Sequence, residues 1–258
     1  MSFVSTAGSG QARLSFSMRK NLLRVAIVVV VLAVWEIAAR SGLLYRDVGP
    51  PLEAIAAALV GVLTDPNFYR HFAITLGEIG VALAIGGVLG FLTGAALGVS
   101  RFLSKAYESL LFYLGPTPKI VFFPILIMWF GVGSGSKIAM GAISCFFPIA
   151  ISVAAGIRSI DPVLIRVGRS FRLSAWQMMA KIYVPAIREP VINGIRLGLG
   201  IAVIGTVLAE TKLSNQGIGF MIIQTYATFD IERMYALLIT LFVFAIGSNA
   251  LVQVLARR

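Results

Sequence analysis

The sequence predicts an all-α membrane protein with six transmembrane helices and both termini in the cytoplasm. Three observations carry this reading. Apolar residues make up 58% of the 258 positions and charged ones only 13%. A soluble domain carries about a quarter charged residues, so one globular core cannot bury the apolar excess. Six apolar segments are each long enough to cross about 30 Å of hydrocarbon as a helix. The Lys and Arg residues lie in short clusters between those segments, the pattern left when cations are retained on the cytoplasmic side.

In chain order, residues 1–20 are expected to form a cytoplasmic tail, Gly- and Ser-rich and disordered over residues 1–11. Residues 21–258 form a single transmembrane domain. The spans are residues 22–40, 72–99, 107–130, 137–157, 191–210 and 234–255. The first follows Arg19, Lys20 and Arg24 and shares the basic and apolar regions of a signal peptide. Its apolar stretch runs on through Trp35 to Ala39 with no small-residue cleavage pattern, so an uncleaved span is expected.

Orientation follows from the cations. With the N-terminus inside, the cytoplasmic side holds Arg13, Arg19, Lys20, Arg24, Arg101 and Lys105. To these it adds Arg158, Arg166, Arg169, Arg172, Lys181, Arg188, Arg196, Arg257 and Arg258, fifteen of the 22 Lys and Arg residues. The opposite side holds six: Arg40, Arg46, Arg70, Lys137, Lys212 and Arg233. Lys119 lies within a span. The net charge of +11 does not indicate a nucleic-acid partner, because the cations form no single patch. Two external connections are long. Residues 43–71 contain Pro50-Pro51 and a short apolar helix over residues 52–60, expected at the interface. Residues 211–233 contain Gly217-Ile218-Gly219 and suit an external lid or scoop.

The second span carries Gly86, Gly90, Gly94 and Gly98. A spacing of four aligns them on one helix face, where a neighbouring helix can approach closely. Gly194 and Gly198 repeat the device in the fifth span. The third span contains Gly115-Pro116-Thr117-Pro118-Lys119 and then Pro124, so its helix must be kinked or interrupted. Irregular backbone at membrane depth is tolerated only beside protein or a water-filled cavity. Lys119 at that break either lines a pathway or snorkels to the headgroups. Thr117, Pro118, Lys119 and, at the external end of the fifth span, Glu210 are the candidate pathway residues.

Catalytic chemistry has little to build on. Residues 131–137, Gly-Val-Gly-Ser-Gly-Ser-Lys, lack the P-loop spacing and follow no strand; they read as a tight external turn. His71 is the one histidine and Cys145 the one cysteine, so a His-based triad, an internal disulfide or a metal cluster is not available. Cys145 reads as a small buried apolar residue and His71 as an interfacial one. Acids within spans are scarce; Glu78 and Glu210 lie in or near spans at their external ends, which offers little for the ionisable relays of an ion-coupled carrier.

Residues 158–190 are the most informative segment. Asp161-Pro162 opens a helix, with Asp as N-cap and Pro at the first helical position. The helix is expected to reach Phe171. Ser174-Ala175-Trp176-Gln177 then forms a capping box that starts a second short helix ending near Pro185. Arg166, Arg169 and Arg172, at spacing three, are expected on one face. The hairpin is either a surface loop held by anionic headgroups or a docking element for a soluble partner.

These residues carry a resemblance. The runs 157–162 (Ile-Arg-Ser-Ile-Asp-Pro), 168–171 (Gly-Arg-Ser-Phe), 173–177 (Leu-Ser-Ala-Trp-Gln) and 184–186 (Val-Pro-Ala) resemble the cytoplasmic loop of binding-protein-dependent ABC transporter permeases. The nitrate/sulfonate/taurine subgroup is the most similar. Residues 118–120, 124–133, 136–138, 146–149, 194–200 and 207–210 continue the resemblance in register, so it covers nearly the whole chain from Val34 onward.

The resemblance implies a type I ABC importer permease fold and a non-catalytic subunit in the bacterial inner membrane. It implies a homodimer or pseudo-dimer of permeases, two cytoplasmic ATPases and an external solute-binding protein. This chain would bind no cofactor or metal, with ATP and Mg held by the ATPases. Arg169, Ser170, Phe171, Arg172, Leu173, Ser174, Ala175, Trp176 and Gln177 would form the coupling helix seated in an ATPase cleft. The solute would be a small polar anion of the nitrate, taurine, sulfonate or aromatic acid class. The alternative is a stand-alone secondary carrier or channel. The chain departs from the family pattern twice. Where the loop usually begins Glu-Ala-Ala it has Arg166-Val167-Gly168, and Arg172 stands where Gly is usual. Arg172 is therefore expected at positive φ, uncommon for a residue with a side chain.

Overall fold

A computed structural model describes residues 9–42 and 48–256. Arg46, Arg257 and Arg258, counted above for orientation, and residues 1–8 of the expected tail lie outside the described residues. Every regular element among the described residues is helical. They are α1 (Ser9–Arg40), α2 (Leu52–Thr64), α3 (Pro66–Val99), α4 (Arg101–Leu114), α5 (Phe123–Phe130), α6 (Ser134–Arg158), α7 (Pro162–Ser170), α8 (Ala175–Met178), α9 (Val184–Ala186), α10 (Arg188–Lys212), α11 (Ile218–Ala227) and α12 (Ile231–Ala256). A 3₁₀ turn, Lys119–Phe122, precedes α5, and a π-turn, Met179–Tyr183, joins α8 to α9. Five helices are long and apolar enough to cross a bilayer, and α4 with the segment leading into α5 makes a sixth span bent by 90°. α1 is described from Ser9, so Ser9, Gly10 and Gln11, expected as disordered tail, are helical ahead of the apolar span Met18–Arg40.

Three helices make the core. α6 lies between α3 and α10, and half of its span is buried. Cys145, Ile149, Val153 and Ile157 of α6 join Ile79 and Ala95 of α3 and Leu199, Ala202, Val203 and Val207 of α10 in one cluster. In a bilayer, lipid tails are as apolar as leucine, so packing quality rather than the hydrophobic effect decides which helices meet. The α3 glycines supply that quality. Cβ atoms at Gly86 and Gly94 would overlap the Ala142 and Ala150 carbonyls, one at Gly90 would fall 2.8 Å from the Phe146 carbonyl oxygen, and one at Gly98 would fall 2.7 Å from Ile157 Cβ. α6 therefore lies in a groove of bare backbone. Gly194 and Gly198 of α10 meet Ser152 and Ile149 on another side of α6 in the same way.

The periphery is thinner. α1 presents exposed side chains from Met18 to Val34 and is anchored near its C-terminal end, where Trp35 Nε1 donates to the Pro50 carbonyl at 3.1 Å and its ring meets Tyr235 at 5.5 Å. α2 does more than lie at an interface. Val62, at 1% exposure, packs with Phe68, Ile218, Met221, Ala236 and Leu237, which joins α2, α3, α11 and α12 into one cap.

Candidate functional site

The hairpin between α6 and α10 is built by three local devices. Asp161 accepts from the Val163 amide at 2.8 Å and Pro162 opens α7. The far end of α7 closes with two nested hydrogen bonds: Arg172 N donates to Arg169 O at 2.9 Å, and Leu173 N donates to Gly168 O at 3.1 Å. This pairing is a Schellman termination, which needs a left-handed residue at the position held by Arg172. Arg172 adopts φ 50°, as the sequence predicts. Ser174 then accepts from Gln177 N at 3.3 Å while its own amide donates to the Gln177 side chain at 2.9 Å, completing the capping box of α8.

One expectation is corrected. α7 ends at Ser170, not Phe171, and Arg172 lies in the reversing residue, so it does not share a face with Arg166 and Arg169. The reversal leaves a tip of Phe171, 76% exposed, and Trp176, 78% exposed, with Arg169, Ser170, Arg172, Ser174, Ala175 and Gln177 exposed around them and Leu173 half-buried. Two large exposed aromatics on a rigid turn mark a binding surface. The root is the opposite: Met178, Tyr183 and Ile187 are buried in the same cluster as α6 and α10. Arg158, at the end of α6, is tied to α4 by an ion pair with Glu108, its Nη2 donating to Oε1 at 2.5 Å.

The broken span lies earlier in the chain, ahead of α6. Ser100 caps α4 by accepting from Leu103 N. Pro116 and Pro118 supply no N–H and restrict the residues before them, so α4 stops at Leu114. Pro124 lies in the first turn of α5, where it is tolerated. Lys119 donates its ammonium to Gly115 O and to Thr117 O, the carbonyls left unpaired by the break, and lies 4.8 Å from the Phe147 ring. Thr117 Oγ1 donates to Tyr113 O at 3.1 Å. Thr117, Pro118 and Lys119 are thus together at the break, and Lys119 serves as the cation that closes a helix C-terminus.

Glu210 is elsewhere. It is fully buried beneath the turn between α10 and α11. Its Oε1 accepts from Thr75 Oγ1 at 2.7 Å and its Oε2 from Gly219 N at 2.7 Å, while Ile218 N donates to Thr75 Oγ1 at 2.8 Å and Gly217 N to His71 Nδ1 at 2.9 Å. Gly217 lies at φ 100°, and a Cβ there would strike the Glu210 carboxylate. Glu210 therefore locks the turn between α10 and α11 and does not face an open pathway in this conformation. Lys137, counted above with the external loops, is 1% exposed in the first turn of α6 and donates to Val132 O and Gly133 O, with Glu78 also buried nearby. Reasoning from the sequence missed Thr75 and Lys137. The signal for Thr75 was the polar stripe His71, Thr75, Glu78, at spacings four and three on one face of α3; Lys137 had none of that kind.

Among the described residues, no group of three or more His, Cys, Asp or Glu side chains could hold a metal ion. Cys145 is buried, its Sγ directed at the Ala82 carbonyl at 3.6 Å.

Comparison with known proteins converges on this arrangement. Residues 86–258 match the model of the family described as binding-protein-dependent transport system inner membrane component. The chain is 28% identical over 246 residues, 95% of its length and 88% of the relative's, to a putative aliphatic sulfonates transport permease protein of Bacillus subtilis. It is 30% identical over 206 residues to a protein of the same description in Escherichia coli, covering 79% of this chain and 78% of that one. It is 28% identical over 209 residues to the Escherichia coli taurine transport system permease protein TauC, covering 79% and 76%. Its fold matches a chain of the inward-facing MetNI methionine ABC transporter with a TM-score of 0.66, at 19% identity, over 74% of this chain and 95% of that one. The matched family segment takes in the glycine groove, the broken span, the capped hairpin and the locked turn, and the chain belongs to the binding-protein-dependent inner-membrane components, as a multi-pass permease of the bacterial plasma membrane.

Proposed function

We propose that this chain is the membrane-spanning half of an ATP-driven importer for a small polar anion, of the nitrate, taurine, sulfonate or aromatic acid class, delivered by an external binding protein. The observation that carries the reading is the hairpin: an aromatic tip exposed to solvent on a root buried among α6 and α10. The tip, from Arg169 to Gln177, seats in a cleft of a separate ATPase, which holds the ATP and Mg. Two permease copies, or this copy with a similar partner, enclose the route, and both termini face the cytoplasm. Fifteen of 22 cations falling on that side support the orientation. The names of the relatives, sulfonate and taurine permeases, support the solute class.

The test is to tag the chain, solubilise native membranes gently and identify what co-purifies. A stoichiometric ATPase is expected, with hydrolysis stimulated by the cognate binding protein. Joint replacement of Phe171 and Trp176 by alanine should release the ATPase while the purified permease keeps its helical circular dichroism. A homo-oligomer without an ATPase in several detergents would refute the importer reading and favour a stand-alone carrier.

A further inference from the structure

Arg196, counted from sequence with the cytoplasmic cations, is the ninth residue of α10. At 1.5 Å per residue it lies about 12 Å along the helix, inside the span. It borders a groove of about 870 Å³ between α10 and α12, walled by apolar residues such as Ile201, Leu241 and Phe242. Its Nε is buried without a hydrogen-bond partner, and no ion pair neutralises the guanidinium among the described residues. A cation at this depth is costly unless it faces water or a counter-charge.

Two further donors line the groove. Asn193, one turn earlier, is exposed on the same side of α10. Gly200, one turn later, leaves space into which Asn249 of α12 projects; a Cβ at Gly200 would meet Asn249 Nδ2 at 3.8 Å. That amide nitrogen has one long contact, 3.5 Å to Ala245 O, so it is available to another acceptor. No carboxylate lines the groove. A guanidinium presents a planar fork that matches two oxygens of a carboxylate-like group, and the two amides extend the set.

We propose that Arg196, Asn193 and Asn249 form an oxyanion station on the solute's route, binding the nitrate, sulfonate or carboxylate end while the apolar walls accept a short carbon body. This rests on the importer reading and adds where the chain meets the solute's charge. The station holds the anion weakly, since a pathway site must also release it.

The test uses Asn193→Cys in the full chain within native inside-out vesicles. Cys145, 0% exposed, is kept, and the unsubstituted chain supplies the background. Labelling rates are compared for two methanethiosulfonates, one bearing a sulfonate and one a trimethylammonium, each normalised to its rate with free 2-mercaptoethanol. The sulfonate reagent is expected to be favoured, and adding Arg196→Gln should lower the ratio about tenfold or more, as loss of a unit charge a few ångströms away requires. Millimolar sodium nitrate and sodium methanesulfonate should slow labelling only when Arg196 is present. Asn249→Cys is the second reporter should Asn193→Cys fail to reach the membrane. A ratio indifferent to Arg196→Gln overturns the station. So does resistance of both cysteines to both reagents, which would mean that lipid or a second copy closes the groove. Co-purification of the ATPase from the same vesicles scores the importer reading separately: anion-protected labelling without an ATPase would keep the station and refute the importer.

Discussion

Replacing Glu210 by alanine should open the turn between α10 and α11 while leaving the membrane helices in place. The carboxylate accepts two hydrogen bonds at 2.7 Å, from Thr75 and from Gly219 N. A buried hydrogen bond contributes about 0.5–1.5 kcal/mol, and an orphaned buried donor costs about 1–3 kcal/mol. Thr75 can turn its hydroxyl to the His71 carbonyl, at 3.3 Å, so Gly219 N bears most of the loss. The lost bonds and the orphaned amide together cost about 3 kcal/mol. At 1.36 kcal/mol per factor of ten, the Ile218 and Gly219 amides should exchange about a hundredfold faster with deuterium in the purified protein, with α3 and α6 amides unchanged. Glu210→Gln separates packing from bonding. Its amide oxygen can serve Gly219 N and its NH₂ can donate to Thr75 Oγ1, so exchange should rise about tenfold at most. Unaltered protection at residues 217–219 in Glu210→Ala would refute the lock.

Other substitutions test the remaining features. Gly90→Ala places a Cβ 2.8 Å from a backbone oxygen that cannot turn aside, so α3 and α6 must separate; the chain should lose about 2 kcal/mol or more, read as a lower unfolding midpoint in detergent. Arg172→Gly relieves about 1 kcal/mol of left-handed strain and returns about half of it as unfolded-state entropy. The Leu173 amide should therefore exchange about twofold more slowly, and unchanged ATPase binding and transport would show that Arg172 makes no specific contact with a dedicated ATPase. Ser174→Ala removes one arm of the capping box and should cost the α8 turn about 1 kcal/mol, seen as faster exchange of the Gln177 amide.

The sequence displayed the span order, the glycine groove, the break at Pro116 and Pro118 and both caps of the hairpin, because each depends on neighbours in the chain. The positive φ at Arg172 was legible through the family resemblance, because Arg172 stands where the loop usually has Gly. What escaped was long-range. Glu210 meets Thr75 across 135 residues, and periodicity along α10 cannot reveal a partner on α3. Lys137 and Arg196 were assigned by sign and proximity to span ends. Burying one in the α5–α6 turn and directing the other into a groove are tertiary outcomes that charge counting does not resolve.

The construction of the hairpin governs how a push travels through it. A flexible loop would absorb displacement at its tip by changing its own dihedral angles. Here the tip is pinned by a Schellman termination on one side and a capping box on the other, and its root is interlocked with α6 and α10 in a close-packed cluster of low compressibility. The π-turn at Met179–Tyr183 is the irregular step between them. If the proposed ATPase docks there, a load on Phe171 and Trp176 would pass into α6 and α10, with α4 carried along through the Arg158–Glu108 ion pair. The hairpin would then work as a crank, and loosening either cap should weaken coupling even where the partner still binds.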